Sequence, residues 1–237
     1  MYLLVDAGNS RIKYAWHDGR RWLQQLSCAS DDPQLQLADT PRPARIVIAN
    51  VAGKAVASAL AAQLERLDAP IEWLQASAER CGLRCAYAEP ARLGADRWAA
   101  TIGAWRQIQD DCLVICAGTA TTIDLLRAGG EHAGGCILPG LGMMLEALAR
   151  GTAALPHAQG SLRLPATNTD DAITSGCLIA QSGAIAHMAS LCPPGTPILL
   201  TGGHAPALAP LLGANCRIAP LLILEGLLEI ATNGHAR

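Results

Sequence analysis

Two stretches of this chain share one unusual pattern: a short buried strand, a small-residue turn built on glycine, a second strand, then a hairpin turn. In the first, Leu4-Val5-Asp6-Ala7-Gly8-Asn9-Ser10 leads into Arg11 to Trp16 and the turn His17-Asp18-Gly19. In the second, Ile115-Cys116-Ala117-Gly118-Thr119-Ala120 leads into Thr121 to Leu126 and the turn Ala128-Gly129-Gly130. The copies are too far apart for a solenoid. They fit an α/β chain with a duplicated domain, its two halves facing each other across a cleft. No proline- or glycine-rich linker separates them, so the corner Gln109-Asp110-Asp111 is taken as the boundary, giving halves 1–109 and 110–237.

The remaining periodicities fill in these halves. Arg45 to Ala49 reads as a strand, and Lys54 to Leu67 as a helix with Val56, Leu60, Leu64 and Leu67 on one face. Ile71 to Leu74 is a brief strand, and Cys81 to Pro90 is irregular. A helix from Asp96 to Gln109 carries Trp98, Ile102 and Trp105 on one side. Further on come a buried strand Cys112 to Cys116, helices Met143 to Arg150 and Thr174 to Leu191, a strand Pro197 to Leu200 and a closing helix Leu221 to Ala231. The polar stretch Ser30 to Pro43 is a surface loop.

Bulk properties narrow the partners. Of 237 residues, 51% are hydrophobic and 16% charged, enough to bury a sizeable core. A net charge of -2 and scattered basic residues exclude a field that would attract nucleic acid or acidic membranes. The apolar run at Met1 to Val5 has no basic leader and ends at Asp6, and no run is long enough to span a bilayer, so a cytoplasmic location is expected. The odd count of nine cysteines, mostly inside apolar stretches, agrees with reduced thiols. Cys81 and Cys85 are too loosely spaced, with no second Cys–His pair close by, to read as a zinc site.

Four constellations carry chemistry. In Asp6-Ala7-Gly8-Asn9-Ser10-Arg11-Ile12-Lys13, glycine lets backbone N–H groups approach phosphate oxygens, Asn9 and Ser10 add donors, and Lys13 supplies a point charge. Asp6, at the strand end, is placed to hold magnesium. The blander reading is a tight turn with an exposed Asp and Lys. Gly118-Thr119-Ala120-Thr121-Thr122 is by itself a threonine-rich hairpin, but two such loops in matching positions suit one polyphosphate bound between them. In Gly94-Ala95-Asp96-Arg97, Asp96 sits where a helix N-cap would sit; with Arg97 beside it, the pair could instead activate a hydroxyl and grip an anion. Thr201-Gly202-Gly203-His204 ends a strand in glycines on which a flat ring or sugar could pack; His204 alone reads as an ordinary histidine.

Taken together and in this order, these pieces resemble the type III pantothenate kinases, the family also named for the Bvg accessory factor. Gly134-Gly135-Cys136-Ile137-Leu138-Pro139-Gly140, the stretch from Asn168 and Thr169 to Gly176, and Leu224-Glu225-Gly226-Leu227 extend the resemblance over nearly the whole chain. It implies an actin-like ATPase fold of two duplicated ribonuclease-H-like halves, transfer of the ATP γ-phosphate to the terminal hydroxyl of pantothenate, and thus the first step of coenzyme A biosynthesis. It implies that Asp6, Ala7, Gly8, Asn9, Ser10, Arg11, Ile12 and Lys13 bind the ATP phosphates and magnesium, with Thr119 as a second phosphate contact. Asp96 matches the general base, and Tyr87, Gly94, Ala95, Asp96 and Arg97 match pantothenate contacts. Thr169 matches a contact supplied across a homodimer interface.

One position departs from the family. Cys116 stands where an aspartate usually helps hold a monovalent cation, potassium or ammonium; a thiol suits such hard cations poorly. This substitution favours a rival reading, a weakly active or non-catalytic protein with a regulatory role, whereas the retained Asp6, Asp96 and Arg97 favour the enzyme. A nuclease on the same half-fold would cluster several carboxylates around two metals, and a sugar or small-acid kinase is the nearest enzymatic rival.

Overall fold

The computed structural model describes residues 1–37 and 41–233. In chain order the elements are β1 (Tyr2–Ala7), β2 (Arg11–His17), β3 (Trp22–Ala29), β4 (Arg45–Asn50), α1 (Lys54–Leu64), β5 (Ile71–Trp73), β6 (Glu79–Arg80), β7 (Leu83–Cys85) and α2 (Ala95–Ile108). Then follow β8 (Cys112–Ala117), β9 (Ala120–Arg127), β10 (Glu131–Pro139), α3 (Leu141–Gly151), α4 (Thr169–Ala189), β11 (Ile198–Thr201), α5 (Ala205–Leu208), β12 (Cys216–Ile218) and α6 (Leu222–Asn233). Two compact units result. The first takes Met1–Asp110, Ala128–Ala133 and Leu221–Arg237, and the second Asp111–Arg127 and Gly134–Pro220.

In the first unit the sheet runs β3-β2-β1-β4-β5. β1, β2 and β3 pair antiparallel, while β4 and β5 continue in parallel. Leu3, Val5, Ile12, Tyr14, Ile46 and Ile48 form a core with Val56, Leu60 and Leu64 of α1. Leu4 and Val47, on the opposite face, are also fully buried, and α2 and α6 pack against β4 there. Burial on both faces explains why β1 and β4 read as unbroken apolar runs.

The second unit repeats the scheme. Its strand order is β12-β11-β8-β9-β10; β8 and β9 are antiparallel, and β11 and β12 are parallel to β8 and to each other. Leu113, Ile115, Ile123, Leu125, Ile198 and Leu200 pack with Cys177, Leu178 and Ile185 of α4 and Leu208 of α5. β8 thus occupies the place of β1 and β9 that of β2, so the two glycine turns occur at equivalent points of equivalent sheets.

The units differ from the expected 1–109 and 110–237 in two places. The start of β10 belongs to the first unit, where Glu131 and His132 pair in parallel with Arg84 and Cys85 of β7. Helix α6 also joins the first unit, and the reason is steric. A Cβ on Gly226 would come within 1.8 Å of the Ala99 carbonyl oxygen, and one on Gly103 within 2.4 Å of that of Leu222. Helices α2 and α6 therefore touch backbone to backbone, and Arg106 pairs with Glu229 across them.

Element boundaries shifted for local reasons. α4 starts at Thr169 rather than Thr174, because Asn168 Oδ1 caps it by accepting from Asp171 N–H at 2.9 Å. The helix after Lys54 tightens into a 3-10 turn at Glu65–Leu67 and ends on Asp68 in the left-handed region. The irregular Cys81 to Pro90 stretch contains part of the β6–β7 hairpin, whose turn places Cys81 at φ 51° and Gly82 at φ 74°. β3 escapes sequence reading because Leu23, Gln24 and Gln25 are solvent-exposed. Along the Ser30 to Pro43 stretch, Leu35 and Leu37 are buried rather than on the surface.

The α2–α6 contact gives a stability prediction. Gly226→Ala should cost about 2 kcal/mol or more, as overpacking a helix crossing does. Gly183→Ala, at a helix-interior glycine with nothing within 4 Å of an added Cβ, should be neutral or stabilising by up to about 1 kcal/mol. Chemical denaturation of the two variants measures both.

Candidate active site

In the first unit, Asp6 lies opposite Lys13 in the β1–β2 register, and Ala7 opposite Ile12. Cross-strand partners share a face, so Asp6 and Lys13 stand on one side of the sheet. Ala7 and Ile12 are in the α1 core on the other. Those two residues therefore have only their backbone to offer a ligand. The turn between the strands is closed by Gly8 N–H donating to Arg11 O at 3.1 Å, with Asn9, Ser10 and Arg11 exposed. Ser30 Oγ donates to Gly8 O at 2.6 Å and braces the turn from outside. A Cβ on Gly8 would meet Arg11 O at 3.3 Å.

The start of α2 brings the second carboxylate. Gly94, not Asp96, is the N-cap, and it accepts the first helical bond from Trp98 N–H at 2.9 Å. Asp96 is the second helical residue. Its Oδ1 accepts from Arg97 N–H at 2.8 Å, which overturns the expectation of Asp96 as the cap. The carboxylate folds back over Gly94, where a Cβ would approach Asp96 Oδ1 to 2.7 Å, so a larger residue there would push the carboxylate out of this position. Helix N-termini favour negative charge, which suits Asp96 to this position.

Asp6 is buried, with 8% of its surface exposed. Burial, then the negative charge of Asp96, push its carboxyl up to about 7 against the opposing pull of Lys13. The charge of Asp96, in the first turn of α2, thus reaches Asp6 on β1. Arg97, the next residue on α2, is buried as well. Its Nη1 donates to the Tyr87 hydroxyl at 3.0 Å, and its guanidinium carbon lies 5.8 Å from the Tyr87 ring centre. Asp6, Lys13, Tyr87, Gly94, Ala95, Asp96 and Arg97 all belong to this unit.

Thr119 and Thr169 belong to the second unit. Thr119 is exposed on the β8–β9 turn, and Thr169 is exposed at the first residue of α4. The turn is held by three carbonyls. Ala117 O accepts from His204 N–H at 3.0 Å, Thr119 O from Gly140 N–H at 3.0 Å, and Gly118 O lies 3.3 Å from His204 Nδ1. A Cβ on Gly140 would fall 2.3 Å from the Gly118 and Thr119 carbonyl oxygens. At Gly202, with φ 102°, it would fall 2.3 Å from Ala117 O. The sequence motifs hold Gly140, Gly202 and His204 but do not show that they brace the β8–β9 turn. The clue to them was the pair of glycine motifs downstream of the turn, whose target only the folded chain identifies. Cys116 is half-buried on β8 opposite Thr122.

A sheet-and-helix unit repeated with a glycine turn at the same place in each copy is the architecture of the actin-like ATPase and sugar kinase fold. A putative 2-dehydro-3-deoxygalactonokinase from Sinorhizobium meliloti superposes with TM-score 0.66 at 17% identity, covering 98% of both chains. A conserved putative Baf family transcriptional activator from Campylobacter jejuni superposes with TM-score 0.64 at 24% identity and the same coverage. At these identities the likeness concerns the fold alone. The sequence itself goes further. The type III pantothenate kinase family model matches residues 2–190. The type III pantothenate kinase of Aromatoleum aromaticum is 45% identical over 243 residues, covering all of both chains. The chain belongs to the type III pantothenate kinase family.

The elevated Asp6 carboxyl has a measurable consequence. Between about pH 4 and 7 the folded protein keeps a proton on Asp6 that the unfolded chain has lost. Stability should therefore fall as pH rises through this window, by as much as about 1.4 kcal/mol per unit from this group, and level off above it. Asp6→Asn, which cannot ionise, removes that slope. Denaturation of ligand-free protein at pH 5, 6, 7 and 8 should show the variant gaining on the parent up to pH 7; a constant difference would contradict the assignment.

Proposed function

We propose that the chain transfers the γ-phosphoryl group of ATP to the terminal hydroxyl of pantothenate, giving 4'-phosphopantothenate, with Asp96 as general base. One observation carries this reading: Asp96, in the first turn of α2, presents a carboxylate whose charge reaches Asp6 and which adjoins the buried Arg97, hydrogen-bonded to the half-buried Tyr87. An alkyl hydroxyl is a weak nucleophile, and phosphoryl transfer depends mainly on alignment and charge neutralisation. In this proposal Asp96 accepts the hydroxyl proton as the oxygen attacks, while Arg97, steadied by Tyr87, pairs with the pantothenate carboxylate. Lys13 and the backbone of the Asp6 to Lys13 turn meet the ATP phosphates, and the turn at Thr119 offers a second contact.

A kinase family implies ATP with magnesium, and the residues fit that ion. Asp6 is a buried carboxylate that feels the negative charge of Asp96, with Lys13 pulling the other way. Magnesium characteristically takes one or two carboxylates and completes its shell from phosphates and water. Among the described residues no group of three or more His, Cys, Asp or Glu side chains is placed to cage a metal, which suits an ion that arrives with its nucleotide. When bound, it would offset charge on the phosphates.

The chain is further proposed to act as a cytoplasmic homodimer, with Thr169 serving the partner's substrate. Among the described residues, no helix is long and apolar enough to cross a membrane. A purely regulatory role draws no support from the Campylobacter jejuni neighbour, whose likeness is one of fold.

Two outcomes test the proposal. Asp96→Asn should lower turnover about 10²–10⁴-fold, as loss of a general base does, with ATP affinity by calorimetry nearly unchanged; near-normal turnover would rule Asp96 out as the base. Cys116 brings a thiol, a poor ligand for hard cations, where the family resemblance leads one to expect an aspartate, so potassium or ammonium should activate the parent only weakly. Cys116→Asp should create a saturable potassium response, measured with sodium holding ionic strength constant. A strong potassium requirement already present in the parent and unchanged in the variant would mean that other groups hold the cation.

A further inference from the structure

His132 is fully buried, and the chemistry above makes no use of it. It sits at the start of β10, opposite Cys85 of β7 in a parallel register. Its carbonyl accepts from Ala86 N–H at 3.0 Å, so the backbone leading into Tyr87 hangs from this residue. The imidazole lies 5.7 Å from the Tyr87 ring at 36°, and 6.2 Å from the Trp98 ring at 74°, an edge-to-face contact. Its Nδ1 is 4.0 Å from Cys85 Sγ. Tyr87 in turn accepts from Arg97, and Trp98 follows Arg97 on α2. The ring is therefore a wedge between the loop that carries Tyr87 and the helix that carries Arg97.

We infer that His132 is a positioning residue for the acceptor end of the site: its ring holds Tyr87 in the plane from which the hydroxyl meets Arg97. A branched aliphatic chain would fill the volume but present no flat face to Tyr87. Imidazole presents one and still directs a polar edge at Cys85, so that its nitrogen is not buried against hydrocarbon. Because Arg97 is buried and tied to Tyr87, an error in the Tyr87 ring is passed to the guanidinium that would meet the acceptor anion. An alternative is that His132 merely fills the core, in which case its loss would disturb the whole unit evenly. The inference rests on the proposal that Tyr87 and Arg97 grip pantothenate.

The test is a double-mutant cycle with Tyr87. His132→Ala should raise KM for pantothenate about 5–10-fold, with KM for ATP and kcat within about 2–3-fold of the parent. In a Tyr87→Ala background the same change should add less than about 2-fold to KM for pantothenate, since the group through which His132 acts is gone. An equal rise in both backgrounds, or a matching rise in KM for ATP, overturns the inference. Should His132→Ala fail to fold, His132→Phe keeps a flat ring. It should stay within about 3-fold of the parent for pantothenate, and a folded Phe variant with the full defect also overturns it. If the parent does not turn over pantothenate, the proposed activity fails separately. The crystal structure of His132→Ala then decides: Tyr87 leaving its 3.0 Å contact with Arg97 supports the role, and an unmoved Tyr87 ends it.

Discussion

Holding a carboxylate in the interior beside a second carboxylate is the most demanding thing this fold does. Asp6 has little exposed surface and feels Asp96. Burial and like charge both oppose ionisation. A protein retains such a pair only where the surrounding structure dictates it, and the first unit does so from two directions. β1 is buried on both faces, so its end cannot move away from α2. The start of α2 is set by Gly94 as its N-cap, over which the Asp96 carboxylate folds back. The cost is borne by ordinary packing elsewhere, in the α1 core and in the close α2–α6 crossing.

That crossing explains why the last helix is joined to the first sheet. Gly103 and Gly226 let two backbones approach where any side chain would collide, so α2 is held along its length by a segment more than a hundred residues away. The stiffness of α2 then bears on Asp96 and Arg97, both in its first turn. The second unit uses the same device differently. Gly140 and Gly202 lie directly on the carbonyls of the β8–β9 turn, and that turn is tied down by hydrogen bonds rather than by burial. Equivalent turns in equivalent sheets are thus stabilised by different means, one braced by Ser30 and the other by a histidine and two glycines.

Membership of the type III pantothenate kinase family follows from matches that span the chain. The structure adds how individual residues could serve that chemistry. Ala7 and Ile12, though inside the Asp6 to Lys13 motif, turn their side chains into the core. Asp96 is not a cap. Cys116 is half-buried on β8, paired with Thr122 on the neighbouring strand.

The sequence by itself determined the duplicated strand–turn–strand plan and most helices and strands, and it singled out Asp6, Lys13, Asp96 and Arg97 as candidates. Alternating and continuous apolar runs, glycine turns and short motifs are local, and local chemistry survives in a string of letters. It could not determine β3, whose exposed polar residues resemble a loop, nor the early start of α4, which hangs on one Asn168 side chain. Nor could it show that α6 belongs with the first unit, that Asp6 and Asp96 share one charge environment, or that His132 stands between Tyr87 and Trp98. Each of these is a through-space relation between residues far apart in the chain. Burial, like-charge repulsion and backbone contact at glycine come into existence only when folding brings such residues together.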